Sequence, residues 1–352
     1  MQGETSGSLL VCPFGLYSVL AMLARGATGH NLEQLESALK LKDDMAFGKV
    51  LESLESNKDF TLAVANKLLI DKSFHTKEKF QDILRKEFHA RSASVNFQSK
   101  SIATIINKWV SKKTEDKIKK FIGPNTLSEN TKMLLIDAVY FKAEWKSQFN
   151  KSFTSKSKFF TEKDRSVNVP MMNQTGRFKL AQLPELKARM LVLPYRGDRI
   201  VMEILLPDSR HGLEEVEELM GELNVSSMVE ENQDNTLVMV SMPKFKLDNK
   251  IEFKSILKKL GMDEMFRGGF EDISSTGAMA VSNVIQNVVV EVDEEGSEAA
   301  AVTSVSMFFR SASVPKVEEP KEFIVDHPFV FFIRDTTTGV LLFQGRLYNP
   351  TE

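Results

Sequence analysis

The chain has 352 residues, 42% hydrophobic and 27% charged, the composition of a soluble globular protein long enough for one large domain or two of medium size. A formal net charge of −2 supplies no global basic field for nucleic acid or an anionic membrane, and the single cysteine, Cys12, excludes an internal disulfide framework. No uncharged apolar run reaches the roughly 18 residues of a transmembrane candidate, and residues 1–7 are short, polar and acidic, unlike a secretion signal.

In chain order, residues 9–13 form a short apolar strand candidate stopped by Pro13. Leu16, Val19, Leu20 and Leu23 then recur at helical spacing, which predicts a buried helix ended by Gly26 in the C-cap role. Residues 28–41 predict a second helix, with Leu32, Leu35 and Leu39 on one face and Glu33 and Glu36 toward water; residues 45–54 predict a third. Residues 60–70 alternate and are rich in branched side chains, as in a strand. An amphipathic helix is expected over 76–88, carrying Phe80, Ile83, Leu84 and Phe88, then a short strand over 93–97. Residues 101–118 predict a helix with Ile102, Ile105, Ile106, Trp109 and Val110 on one side. Its polar side holds Lys108, Lys112, Lys113, Lys117, Lys119 and Lys120, interrupted by Glu115 and Asp116 and lacking an aromatic platform, so it reads as a solvated face and not as a nucleic-acid surface.

Residues 133–141 are nearly continuously apolar, the signature of a strand buried on both faces, and Asp137 in its middle must be paired or hydrogen-bonded. Strand then follows strand, over 158–161, 167–172, 176–182, 188–194 and 200–207. Residues 213–223 and 225–233 look helical, 237–245 a strand, 251–260 a helix closed by Gly261, and 278–291 a long strand. The segment 293–315 is acidic at its start and then small and polar, so it builds no core; at about twenty residues it exceeds ordinary loop length, and such loops are functional or disordered. Its second half sets a lone Arg310 after Phe308 and Phe309 and before Ser311. Strands over 322–324, 329–334 and 340–347 close the chain. Helices come first and strands later, with no repeat, no linker and no βαβ alternation, so the expected fold class is α+β, one domain on large, largely antiparallel sheets.

Enzyme signatures are missing. There is no Gly-x-Ser-x-Gly elbow, His-Glu-x-x-His, P-loop or Cys-x-x-Cys. Gly268-Gly269 reads as a turn. The five histidines, His30, His75, His89, His211 and His327, are scattered without metal-ligand spacing, and His327 before Pro328 reads as structural. No catalysis, metal or cofactor is expected.

Five stretches then carry a resemblance: Asn107-Lys108-Trp109-Val110; Asp137-Ala138-Val139-Tyr140-Phe141-Lys142; Glu294-Glu295-Gly296-Ser297-Glu298-Ala299-Ala300-Ala301; Asp326-His327-Pro328-Phe329-Val330-Phe331; and Gly345-Arg346-Leu347-Tyr348-Asn349-Pro350. In order and spacing they resemble the serpins, over about residues 8 to 351. The resemblance implies a single domain over 1–352 with three β-sheets, about eight or nine helices and an exposed reactive loop at 293–315. It also implies a suicide inhibitor: a protease cleaves the loop, is acylated, and is trapped when the loop enters the central sheet as a new strand. By the family's spacing the reactive bond is Arg310–Ser311, and a guanidinium suits the acidic pocket of a trypsin-like serine protease, the implied covalent partner. Met307, Phe308 and Phe309 flank it; Phe309 before Arg310 also suits papain-like cysteine proteases, which keeps cross-class inhibition open.

In the inserted strand, Ser297, Ala299, Ala301, Thr303, Val305 and Met307 would face inward, and Glu298, Ala300, Val302, Ser304 and Ser306 outward. The inward residues are small or apolar, which favours an inhibitor over a non-inhibitory binding or carrier protein on the same scaffold. At the family's shutter, which controls sheet opening, Cys12 and Gly15 stand where serines are usual, Asp137 where asparagine is usual and Gln286 where histidine is usual. Gln286 still donates and accepts hydrogen bonds, whereas Asp137 is neutral only if protonated, so shutter stability is where this chain is expected to differ. The family's N-terminal helix is expected to be truncated or missing. A monomer is expected, without nucleic-acid, membrane or glycosaminoglycan partners. An extracellular location is expected, with the cytoplasm as the alternative; the sequons Asn150, Asn173 and Asn224 would be used only in a secretory compartment.

Overall fold

The computed structural model describes residues 7–41, 47–55, 58–123, 126–162, 165–221, 233–296 and 318–351. The chain divides into two compact units. One comprises Val11–Phe141 and Asp248–Val290; the other comprises Met1–Leu10, Lys142–Leu247 and Glu291–Glu352.

The first unit holds helices α1 (Pro13–Ala24), α2 (Gly29–Leu39), α3 (Phe47–Glu55), α4 (Glu78–Phe88), α5 (Ile102–Lys113) and α7 (Lys254–Lys259). It also carries most of a five-stranded sheet in the order β10 (Phe245–Glu252), β11 (Val281–Val292), β4 (Met133–Ala143), β2 (Phe60–Asp71), β3 (Ala93–Val95). β11 and β4 pair directly and in parallel, with Val284 opposite Leu135, Gln286 opposite Asp137 and Val290 opposite Phe141. The two faces of this sheet alternate residue by residue, as a pleat requires. Met133, Leu135, Val284, Leu68 and Ile70 pack with α1, while Leu134, Ile136, Ala138, Ile285 and Leu69 pack with Ile102, Ile106 and Val110 of α5. The near-continuous apolar run in β4 is therefore buried on both faces, as its sequence predicts.

Three expectations in this unit need correction. Gly26 is not a left-handed cap: α1 ends at Ala24, Arg25 caps it in the right-handed region, and a Cβ on Gly26 would lie 2.1 Å from Ile273 Cγ1. Glycine is needed there for close packing. α5 stops at Lys113 and not near Ile118, because Glu115 and Asp116 adopt φ of 51° and 60°, which no helix continues through; Ile105 on α5 is 58% exposed and not on its buried side. The helix expected over 251–260 begins at Lys254, since Phe245–Glu252 alternates buried and exposed side chains as a strand and Ile251 belongs to it. Gly261 does close that helix, at φ 82°. The lysines along and after α5 are exposed, as expected of a solvated face.

The second unit is built on nine hydrogen-bonded strands. Their order is β1 (Leu9–Val11), β14 (Leu341–Leu347), β13 (Phe329–Asp335), β8 (Ile200–Pro207), β7 (Ala188–Pro194), β6 (Arg165–Leu183), β9 (Gln233–Pro243), β12 (Lys321–Ile324), with β5 (Ser155–Glu162) also on β6. Two strands expected over 167–172 and 176–182 are one. Asn173, Gln174 and Thr175 look like a turn in sequence but pair with Ser241, Val240 and Met239 of β9. The 19-residue β6 pairs first with β5, then with β9, then with β7, so it belongs to two sheets, and with the five-stranded one the chain has three. Helix α6 (Leu213–Met220) covers Leu205, Val330 and Phe332 of this unit. Seven α-helices lie among the described residues; the helix expected over 225–233 lies outside them except for Gln233, which begins β9 and is not helical.

Candidate functional site

β11 leads into residues 294–296, the start of the loop hinge that the family resemblance implies, and this described part is held by residues of its own unit. Trp145 donates from its ring nitrogen to Asp293 O at 2.9 Å and from its backbone to Glu295 O at 3.0 Å, and Phe149 N donates to Glu294 O at 2.9 Å. Trp145 is fixed in turn by stacking on Tyr195, at 4.3 Å between ring centroids and 7° between planes. Both rings are buried, and burial pushes the Tyr195 hydroxyl far above its usual range, so it stays neutral.

Glu294 is only 3% exposed, accepting from Thr154 Oγ1 at 2.8 Å and from Lys244 Nζ at 2.6 Å. Burial pushes its carboxyl upward, but the bonds from Lys244 and Thr154 outweigh burial and the net displacement is downward. Glu294 is therefore a buried carboxylate anchoring the start of the loop. Glu295 pairs with Lys151 at the surface. Gly296 is the last described residue of the hinge. Its φ of 84° is left-handed, and a Cβ there would lie 2.4 Å from both Ala143 O and Trp145 N, so glycine is required twice over.

A second cluster lies wholly within the other unit, where Cys12, Gly15, Asp137 and Gln286 come together. Cys12 is the N-cap of α1, its sulfur accepting from Gly15 N at 3.3 Å. Gln286 accepts from Cys12 N at 3.0 Å and donates to Cys12 O at 2.9 Å and to Asp137 Oδ2 at 2.5 Å. Asp137 is fully buried; desolvation pushes its carboxyl up to about 7, opposed by the bond from Gln286. Burial, reinforced by Asp137, holds the Cys12 thiol well above its usual range and hence uncharged. The glycine is coupled to the acid, because a Cβ on Gly15 would lie 2.4 and 2.5 Å from the two Asp137 oxygens. Gly15→Ala is accordingly expected to lower stability by about 1–3 kcal/mol through overpacking. Asp137→Ala in the same chain should recover part of that loss as a coupling energy. Denaturant melts of the four proteins measure it; strictly additive losses would show that the two residues do not touch.

The structure thus joins Glu294 and Gly296 in one constellation and the four shutter residues in another. Ser297, Glu298, Ala299, Ala300, Ala301, the flank Met307, Phe308 and Phe309, and the Arg310–Ser311 bond lie outside the described residues. Sequence reasoning missed Lys244, Thr154, Trp145 and Tyr195, which hold the start of the hinge, and Asn66, which borders the shutter; none of them sits in a local pattern that announces its partner. His327 is buried at the start of β13, with Nε2 2.9 Å from Pro207 O and Nδ1 2.7 Å from Asp326, a structural position. Among the described residues no group of His, Cys, Asp and Glu could hold a metal ion, and no helix is long and apolar enough to cross a membrane.

The family model for Serpin (serine protease inhibitor) matches residues 1–350. The chain is 33% identical to the leukocyte elastase inhibitor of Homo sapiens, covering 99% of this chain and 95% of that protein. It is 32% identical to Iris of Ixodes ricinus, covering 98% and 93%. The crystal structure of Serpin48, a highly specific serpin of the insect Tenebrio molitor, is similar with a TM-score of 0.85 at 32% identity, over 97% of this chain and 92% of that one. With a family match along nearly the whole chain, relatives above 30% identity over almost all of both sequences, and a shared three-sheet fold, the chain belongs to the serpin family.

Proposed function

We propose that this serpin is a suicide inhibitor of trypsin-like serine proteases, cleaved after Arg310 and trapping the acyl-enzyme by inserting the freed loop. The protease serine Oγ attacks the Arg310 carbonyl carbon, an ester forms, and Ser311 leaves with its new amino group. Serpins are protease inhibitors and not catalysts, and a relative such as the leukocyte elastase inhibitor bears that function in its name.

The direct parallel pairing of β11 with β4 carries the reading. A strand that folds back from the end of β11 runs antiparallel to β11, and therefore antiparallel to β4 as well. Entering between them, it replaces one parallel ladder with two antiparallel ladders, which are slightly more stable per residue and add a second row of hydrogen bonds. The left-handed Gly296, where the described hinge ends, has the conformation a reversal of direction needs. The alternation of small or apolar residues at 297, 299, 301, 303, 305 and 307 suits burial on one face. The drive is then stored in a native state held by a kinetic barrier.

Mixing the protein with trypsin should give a covalent complex that survives SDS denaturation, and cleaved inhibitor should melt far above the intact protein. Clean cleavage after Arg310, with no complex and no rise in melting temperature, would point to a binding or carrier role on the same scaffold. Ala299→Glu should turn the inhibitor into a substrate, because insertion would bury a carboxylate with no partner. If that variant still trapped trypsin, the inward assignment of Ala299 would have to be dropped. The pair Phe309-Arg310 also suits papain-like cysteine proteases, so a protease panel with second-order rates belongs in the same experiment. An extracellular site of action is part of the proposal, tested by secretion and by a glycan on the described sequons Asn150 or Asn173.

A further inference from the structure

Among the described residues of the first unit Asp137 is the one buried acid, and its Oδ1 has no hydrogen-bond partner. It lies on β4 between Gln286 of β11 and the strand β2, which carries Asn66, and it packs against Gly15 of α1. The donors of Gln286 are spent: its two amide hydrogens go to Cys12 O and Asp137 Oδ2, while its oxygen takes Cys12 N. Asp137 Oδ1 is buried without a partner, and so is Asn66 Oδ1, whose amide nitrogen reaches Gly15 O at 3.5 Å. Both side chains border Gly15, and each leaves one buried acceptor without a donor.

A single proton resolves this. On Oδ1 it removes the charge that burial disfavours, ends the orphan carboxylate acceptor, and leaves Oδ2 free to keep its bond from Gln286. We propose that Asp137 is a protonation switch for the junction of β4, β11 and the start of α1: as an acid it locks these elements together, and as a carboxylate it loosens them.

Among the described residues no charged neighbour keeps the proton off. The groups around the carboxyl are Gln286 from β11, Gly15 of α1 and the Cys12 thiol at its N-cap, with Asn66 of β2 beside Gly15. Only the Cys12 thiol among them titrates, and it is held neutral. Desolvation of Asp137 accordingly dominates, with a midpoint about 7 against an ordinary 3.8. A raised folded value means that the group's stabilisation is complete below the ordinary carboxylate range and is lost as pH rises through neutrality. The acid form keeps β4 on β11 and the ionised form lets them part, so loop entry should be faster on the alkaline side. That consequence rests on the inhibitory reading above; the pH-dependent stability does not.

The test compares thermal midpoints of the full chain and of Asp137→Asn from about pH 5 to about pH 9 at constant ionic strength. The amide of Asp137→Asn places a permanent donor where the proton would be. The wild-type midpoint should fall by several degrees through neutrality, while the variant should stay flat there and melt above the wild type at the alkaline end. Parallel curves, or a flat wild type, would overturn the switch. Infrared difference spectra of the wild type alone decide the matter should the variant fail to fold. A protonated-carboxyl band lost across neutrality supports the proposal, since the other buried acids, Glu294 and Asp335, are displaced downward and already ionised. No such band at slightly acid pH overturns it. Assaying the same samples for the SDS-stable trypsin complex separates the two readings: a pH-dependent midpoint without a complex removes only the inhibitory function.

Discussion

Arg310→Ala is expected to reduce the second-order rate of trypsin inhibition by roughly 10⁴-fold, the discrimination shown by a pocket built around a polar group when that group is missing. The acidic floor of a trypsin-like pocket would be left dehydrated and unpaired against a methyl group. Folding should not change if Arg310 is the proposed bait residue, so thermal midpoint and circular dichroism serve as controls. Arg310→Lys should retain most of the rate, since a shorter cation still reaches the pocket through water. The same alanine variant should gain activity toward enzymes with small pockets, which separates loss of recognition from loss of the trapping machinery. Undiminished trypsin inhibition by Arg310→Ala would move the reactive bond elsewhere in the loop.

How much of this was legible beforehand follows the physics of each signal. Period-two and period-3.6 patterns are local, so β4, β11, α4 and most other elements could be read from the chain itself. The errors fell where tertiary packing overrides local preference. Gly26 looked like a cap and instead makes room for Ile273, and residues 173–175 looked like a turn and instead pair along β9. The hinge was legible because Gly296 and the small residues after it have an unusual composition. Its anchors were not, because Lys244 lies fifty positions before Glu294 and Trp145 still farther, and nothing in either neighbourhood announces a partner. The shutter was only half visible. The four substituted positions could be named from the family pattern, but that Gly15 is the space Asp137 occupies is a statement about atoms 2.4 Å apart, which no periodicity encodes. Four departures from the family pattern become one structural unit: glycine admits the acid, glutamine binds both it and the helix start, and cysteine caps the helix.

The anchor of the hinge supplies the other large effect. Lys244→Ala removes the ammonium 2.6 Å from Glu294 and leaves a buried carboxylate with the Thr154 hydroxyl as its one remaining side-chain donor in the described structure. Breaking a buried pair from one side costs about 3–5 kcal/mol, and the low end, about 3 kcal/mol, applies here because the Lys244 side chain is itself 36% exposed. Glu294→Gln should cost less, about 1–2 kcal/mol, since an amide oxygen still accepts from Thr154 and no charge is stranded. The expected order of thermal midpoints near neutral pH is therefore wild type, then Glu294→Gln, then Lys244→Ala. In the wild type the depressed Glu294 carboxyl contributes stability above the ordinary glutamate range and loses it as pH falls through its folded value. Lys244→Ala should remove that acid-side loss, because its carboxyl no longer favours the ionised form. An equal midpoint for the two variants would mean that the ion pair is not what holds the hinge. Because Glu294 lies two residues before Gly296, weakening it also frees the segment that moves in the proposed mechanism. Lys244→Ala should consequently lose trypsin-trapping activity on incubation at moderate temperature faster than the wild type does, through premature insertion or self-association. A stable but merely softer inhibitor would show instead that the barrier lies in the shutter around Asp137 and not at the hinge.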